Sequence, residues 1–184
     1  LTNTASGTGT WQDAAGGGGA WAVVASGSFS GSSVEFTSLS DKVIKIYLTE
    51  IVFTNSGTWR GMLSTNNGSS WTASSVNRKN ITILDAAVYV ANATAGGYLK
   101  FNDYDPVPST GSGQTMEITL SNLGSSSLGT VINASSTHAR TSETANFNHV
   151  LSYQVCGTAA AHNAFKVYPE MGTWTGKYVI VELN

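Results

Sequence analysis

The chain has 184 residues, which is long enough for one sizeable hydrophobic core, and a formal net charge of −2. Hydrophobic residues make up 41% of it and charged residues only 11%, against about 25% charged residues in an average soluble protein. There is no basic run to neutralise phosphates, and no apolar run approaches the roughly 20 residues of a transmembrane helix, so the composition argues against nucleic-acid binding and membrane insertion. Ser, Thr, Asn and Gly must supply most of the surface, which suits contact with a neutral polymer or with copies of the same chain.

The first 20 residues are rich in Gly, Thr and Ala and contain a run of glycines at 16–19. This composition predicts a flexible lead-in, or a connection to something upstream. We expect residues 21–184 to form a single domain.

Short apolar alternations run through the rest of the chain, with turns of Gly, Ser, Asn and Asp between them. No segment has a convincing helical period over eleven or more residues. The segments with strand character are 21–24, 34–36, 43–53, 59–63, 71–76, 81–84, 87–90, 98–101, 116–120, 131–132, 150–155, 164–168 and 177–183. Many short segments of this kind, with turns between them, predict an all-β fold, an antiparallel β-sandwich of the jelly-roll type with about nine to twelve strands.

Two segments carry a more local prediction. In 43–53 the apolar residues change face between Leu48 and Ile51, which predicts a bulge near Thr49–Glu50. The pair Asn67–Gly68 lies between apolar stretches and tolerates positive φ, so it predicts a hairpin turn with 71–76 as the returning strand.

The tryptophans divide into two groups by their neighbours. Trp21 and Trp71 lie inside or at the edge of predicted strands, so we expect them to be buried. Trp59 and Trp174 lie beside Gly and Thr near turns. These two either pack in the core or form exposed platforms that stack on the apolar face of a sugar ring, and as platforms they are candidate carbohydrate-binding residues.

The loop 101–106 has the composition of a carbohydrate-binding segment. It offers two carboxylates, an amide and a phenol ahead of a proline: Asn102, Asp103, Tyr104 and Asp105. Carboxylates and amides bind vicinal hydroxyls, and the tyrosine provides a stacking face. Two other interpretations stay open, namely a turn capped by Asp and Asn side chains and a calcium site, although the loop lacks the Gly and distal Glu of an EF-hand.

A further candidate lies in the predicted loop after residue 135. We expect His138 and Arg140 to bind a sugar acid or another carboxylate. Ser135, His138 and Glu143 are the residue types of a Ser/His/acid triad, but triads are defined by geometry and the spacing does not indicate one. No pair of acids is marked as facing each other across a sugar, and the His and Cys spacing is not that of a zinc site. We therefore predict no catalytic residues, no metal and no cofactor.

The single cysteine, Cys156, excludes an intrachain disulfide. It ends the apolar run 151–156, and we expect it to pack as a small apolar residue in or beside a strand. His162 follows a run of alanines, and we expect it to be exposed in a turn.

Several motifs occur in a defined order along the chain: Val-Glu-Phe at 34–36, a long strand, Leu-Ser-Thr-Asn-Asn-Gly at 63–68 before Trp71, Met-Glu-Ile-Thr-Leu at 116–120, and Gly-Thr-Trp-Thr-Gly-Lys-Tyr-Val-Ile-Val at 172–181. This order resembles a recurring module of tailed-phage tail-fibre and head-fibre proteins. Head-spike proteins of gene-transfer-agent particles are similar. The resemblance covers residues 17–184, and it rests on the order and spacing of motifs that are individually short.

The resemblance implies a jelly roll on the surface of a virion that binds a host-cell glycan, capsule or lipopolysaccharide, during attachment. It supplies no catalytic residues. We also expect contacts with other virion proteins through the N-terminal segment, and a homo-oligomer, first of all a trimer, because multivalency strengthens weak sugar sites. Two alternatives remain: a purely structural head-decoration or fibre-connecting domain, and a carbohydrate-binding module of a secreted bacterial glycosidase, which predicts a stable monomer.

Overall fold

The structure, a computed structural model, describes residues 2–3, 9–10, 21–55, 57–72, 76–84, 87–95, 98–101, 114–139, 147–156 and 159–184. In this part of the chain no helix is long and apolar enough to cross a membrane. The strands are β1 (Thr2–Asn3), β2 (Gly9–Thr10), β3 (Trp21–Gly31), β4 (Val34–Phe36), β5 (Ile44–Phe53), β6 (Trp59–Ser64), β7 (Val76–Leu84), β8 (Ala87–Ala95), β9 (Leu99–Lys100), β10 (Gln114–Ser121), β11 (Val131–Ala139), β12 (Phe147–Cys156), β13 (Ala164–Pro169) and β14 (Trp174–Leu183).

Two antiparallel sheets pack against each other, so the fold is the all-β sandwich that the sequence predicts. The larger sheet has the strand order β3-β14-β5-β10-β11-β12-β7-β8, and the smaller sheet has the order β4-β13-β6-β9. The chain crosses repeatedly between them, and β1 pairs with β2. Alternate residues of each strand therefore point into the space between the sheets. The jelly-roll type stays a prediction.

The core is organised around aromatic rings from both sheets. Phe53 stacks on Trp174 with 5.6 Å between ring centroids and lies 5.3 Å from Trp59, while Phe29 lies 4.7 Å from Trp174. Trp59 and Trp174 are each only 1% exposed, so the interpretation of them as exposed platforms is wrong. Both occupy inward positions of a strand, and the strand register overrides the polar turn residues beside them.

The prediction that Trp21 is buried is also wrong. Its side chain is 39% exposed because β3 is an edge strand and Trp21 lies on the outer side of the larger sheet. Trp71 is half-buried. Cys156 is buried in β12, as predicted.

His162 is buried and not exposed in a turn as predicted. Its Nδ1 lies 2.8 Å from the Thr130 hydroxyl, and its backbone N–H donates to the Leu123 carbonyl at 2.6 Å. Burial lowers the pKa of the imidazole below the ordinary 6.5. The partners belong to the segment between β10 and β11, which is distant in sequence, so the local alanine-rich context gave no sign of the burial.

The bulge predicted near Thr49–Glu50 is confirmed. In the pairing of β10 with β5, Gln114 lies opposite Ile51 but Met116 lies opposite Leu48, so β5 contains one extra residue. The pairing of β14 with β5 shifts at the same place. Glu50 has a φ of 52°, in the left-handed region.

The hairpin prediction at Asn67–Gly68 is right for the turn and wrong for the returning strand. Both residues have positive φ, 56° and 89°. Among the described residues of 71–76, however, the only pairing with the preceding strand is an isolated antiparallel β-bridge between Leu63 and Thr72. The chain then enters β7, in the other sheet.

Candidate functional site

Of the residues predicted to bind carbohydrate, Trp59, Trp174 and His138 lie in the part of the chain that the structure describes. Trp59 and Trp174 belong to the core. His138 lies in β11, paired with Asn148, and not in a loop as expected. The remaining predicted residues lie outside the described residues: Asn102, Asp103, Tyr104, Asp105 and Arg140.

A different surface has the chemistry that those residues were expected to supply. The larger sheet has an outer face, directed away from the smaller sheet, and short polar side chains form its centre. Thr119 on β10 lies opposite Asn133 on β11, and Glu117 lies opposite Ser135. Their neighbours along each strand are buried in the core, so strict alternation directs these polar groups outward.

Larger side chains border this polar centre on both sides. Tyr47 on β5 lies opposite Glu117. On the other side Tyr153 on β12 lies opposite Asn133 and is 52% exposed. Tyr47 and Tyr153 lie three strand spacings apart across the sheet, about 14 Å, and two residues apart along the strands, about 7 Å. We call the depression between them the outer-face groove.

The outer-face groove consists of two adjoining depressions that share Glu117 and Ser135. The larger has a volume of about 250 Å³ and extends past Tyr153 to Lys79 on β7. The smaller has a volume of about 200 Å³ and lies beside Tyr47. The groove is therefore shallow, open and elongated across the strands.

The groove contains an ion pair and a further lysine, Lys79. The Lys45 ammonium donates to Glu117 Oε1 at 2.9 Å and lies 5.2 Å from the centre of the Trp21 ring. The hydrogen bond to Glu117 raises the pKa of Lys45, so the ammonium keeps its charge near neutral pH. Glu117 is the one carboxylate among the described residues that line the groove.

The outer face of the smaller sheet also carries aromatic residues, but cations already cover their rings. The Arg60 guanidinium carbon lies 4.1 Å from the centre of the Tyr98 ring. The Lys166 ammonium lies 4.8 Å from the Trp71 ring centre and 5.7 Å from that of Tyr168. These ring faces are satisfied within the protein, which makes them poorer stacking surfaces for a ligand than Tyr153.

No metal site accompanies either surface in the part of the chain that the structure describes, where no three His, Cys, Asp or Glu side chains are grouped to hold an ion. The groove thus offers aromatic stacking, hydroxyl and amide hydrogen bonds, and one fixed carboxylate acceptor. These are means of binding a neutral, hydroxyl-rich ligand.

The chain matches no family model, no curated protein and no solved structure. The similarity of its motifs to phage fibre proteins therefore stays a prediction from the sequence. The interpretation of the groove rests on its own chemistry.

Proposed function

We propose that the chain is a non-catalytic carbohydrate-binding domain whose ligand lies in the outer-face groove. The observation that carries the proposal is the exposed ring of Tyr153 beside a row of hydroxyl, amide and carboxylate groups. A pyranose ring has an apolar face, which stacks on an aromatic ring, and a rim of hydroxyls, which needs hydrogen-bond partners. The groove presents both kinds of partner side by side.

The dimensions of the groove suit a short stretch of polysaccharide. Measured across the strands from β5 to β12 it spans about 14 Å, room for about two or three pyranose rings in line. Tyr153 stacks on a ring at one end, and Asn133, Ser135 and Glu117 meet hydroxyls along the centre. A shallow open groove buries little of its ligand, so binding at a single site is weak.

The acid content of the described part of the groove supports binding without hydrolysis. Glycoside hydrolysis ordinarily uses two carboxyl groups about 5–10 Å apart on either side of the bond that breaks. Among the described residues that line the groove, Glu117 is the one carboxylate, and it forms an ion pair with Lys45. It can accept hydrogen bonds from sugar hydroxyls, but these described residues offer no second carboxyl group for hydrolysis.

The motif order similar to phage fibre proteins supports a more specific role. We propose a fibre or spike domain on the surface of a phage-like particle that binds host capsule or lipopolysaccharide. A purely structural virion domain is the second candidate, favoured by the exposed aliphatic side chains of β8. A carbohydrate-binding module of a secreted glycosidase uses the same groove but belongs to a monomer.

The experiment is a binding assay of the purified chain against a panel of isolated bacterial capsules and lipopolysaccharides, with released sugar measured in the same tubes. We expect saturable binding to at least one polysaccharide and no release. Release of sugar contradicts the non-catalytic assignment. Absence of binding to every polysaccharide contradicts the carbohydrate-binding assignment and favours the structural role.

A further inference from the structure

The edge strand β8 lacks the features that ordinarily keep sheet edges from pairing. Its sequence, Ala87–Ala95, contains no charged residue and no proline. Its pairing with β7 runs through nine residues without a register shift, and among the described strands it has no partner on its other side. Natural sheets commonly protect such edges with Lys, Pro, a bulge or a short strand.

Two side chains of β8 make this edge apolar as well as regular. Val88 and Val90 are 64% and 55% exposed on the outer face. They lie opposite Ile83 and Ile81 of β7, so an aliphatic surface continues from the sheet to its rim. Exposed aliphatic surface of this kind marks a contact with another molecule.

The other edge of the same sheet differs in shape. β3 also lacks charge, but its pairing with β14 shifts between Ile180 and Val181, and Val24 is the extra residue at that bulge. A bulge twists an edge away from a flat partner. Of the two edges of the larger sheet, β8 is therefore the better template for another strand.

We propose that β8 pairs antiparallel with β8 of a second copy of this chain about a two-fold axis. A two-fold contact brings the same surface of both copies together. Because β8 has no charged residue, two copies of this edge can pair without repulsion between like charges. The pairing supplies partners for the main-chain N–H and C=O groups on the outer side of β8. A register that places Val88 beside the partner's Val90 covers both valines, since cross-strand aliphatic pairs stabilise sheets.

The dimer has a consequence that rests on the proposed function. Edge pairing leaves the outer-face groove of each copy open, because a strand added in the plane of the sheet does not cover its outer face. Two grooves on one particle raise the apparent affinity for a repetitive polysaccharide by about 100-fold or more over one groove. We therefore propose a dimer in place of the trimer that the sequence led us to expect.

The test is the mass of the purified chain by sedimentation equilibrium over a range of concentrations. We expect a dimer with twice the 19.2 kDa of the monomer. It should dissociate on dilution, because one strand contributes less surface than the roughly 800 Å² per partner of a standard interface. In the proposed register the variant V90K places an ammonium beside the partner's Val88 in both copies, and because covering a charged group against an apolar one is unfavourable we expect the dimer dissociation constant to rise at least about tenfold.

The matched control is V23K, the same substitution at an exposed valine of the other edge strand, which should leave the dimer intact. Both sites are exposed, so thermal unfolding should show each variant folded. A monomer at every concentration, a trimer, or dissociation by V23K as strong as that by V90K overturns the proposal. The measurement contains no sugar, so it separates failure of the dimer from failure of the glycan assignment.

Discussion

Trp174 and Trp21 are chemically identical side chains in opposite surroundings, and their variants should behave differently. Trp174 packs between Phe29 and Phe53 in the core, so W174A should lower the free energy of unfolding by about 3–5 kcal/mol. Trp21 is exposed and contacts the Lys45 ammonium, so W21A should cost less than about 1 kcal/mol. Urea denaturation followed by circular dichroism measures both. Equal losses in the two variants contradict the assignment of Trp174 to the core.

His162 should make stability depend on pH. Its folded-state pKa lies below the ordinary 6.5 because burial disfavours the charged ring, so in the window below about 6.5 the unfolded chain binds a proton that the folded chain does not. The stability that the buried neutral ring of His162 contributes is therefore fully present above about pH 6.5 and is lost as the pH falls from there toward the folded-state pKa.

Glu170 and Glu182 have pKa values lowered from 4.5, first by hydrogen bonds from Thr58 and Lys42 respectively. Their stabilisation is lost at more acidic pH, in a separate window.

The measurement is the free energy of unfolding at pH 7.5, 6.5 and 5.5 for the wild type and H162Q. We expect the wild type to lose stability across this range. H162Q should be less stable at pH 7.5, since it disturbs the contact with Thr130, but it should have a flatter pH dependence. The variant E182Q serves as the control, because the pH dependence that Glu182 contributes lies below pH 4.5, so between pH 7.5 and 5.5 its profile should run parallel to that of the wild type. Parallel pH profiles for the wild type and H162Q contradict the role of His162.

At the scale of elements, the bulge in β5 predicts an effect of Glu50. Its φ of 52° places a non-glycine residue in the left-handed region, which costs about 1 kcal/mol or more. E50G should raise the free energy of unfolding by up to about 1 kcal/mol. The ion pair of Glu50 with Lys177, at 2.8 Å, joins two exposed groups and contributes little.

The variant E50Q isolates that ion pair, because it removes the charge and keeps the side chain. Thermal and urea unfolding of both variants give the comparison. An E50G protein less stable than E50Q means that the bulge conformation is not strained, contrary to the expectation.

The elements also show how far the sequence alone predicts this fold. Where apolar and polar residues alternate strictly, as in β5 and β10, the strands and even the bulge are recoverable, because the pattern is local. β11 was predicted only at 131–132, although it runs to Ala139. Its later inward positions, Ala134 and Ser136, are small or polar. The sequence of this part of β11 therefore lacks the alternation of large apolar and polar residues that would identify a strand.

At the scale of the whole molecule, the candidate site is a product of strand order. Tyr47, Glu117, Asn133 and Tyr153 become neighbours only because β5, β10, β11 and β12 are adjacent in the larger sheet. No local motif contains this information, and the sequence directed attention instead to the loop at 102–105 and to Trp59 and Trp174. The alternating sequence of β10 predicts its outward polar residues. It does not predict which residues of the neighbouring strands lie beside them.

The central claim is that the outer-face groove binds the glycan, and the dissociation constant of three single variants tests it most directly. The ligand is an oligosaccharide from a polysaccharide that the chain binds, titrated by calorimetry into the wild type, Y153A, Y168A and Y104A. Loss of a stacking ring costs about 0.5–1.5 kcal/mol, so Y153A should bind up to about tenfold more weakly. Y168A, on the other sheet, and Y104A should bind as the wild type does. Loss of binding in Y104A with unchanged binding in Y153A contradicts the account and places the site in the loop that the sequence first indicated.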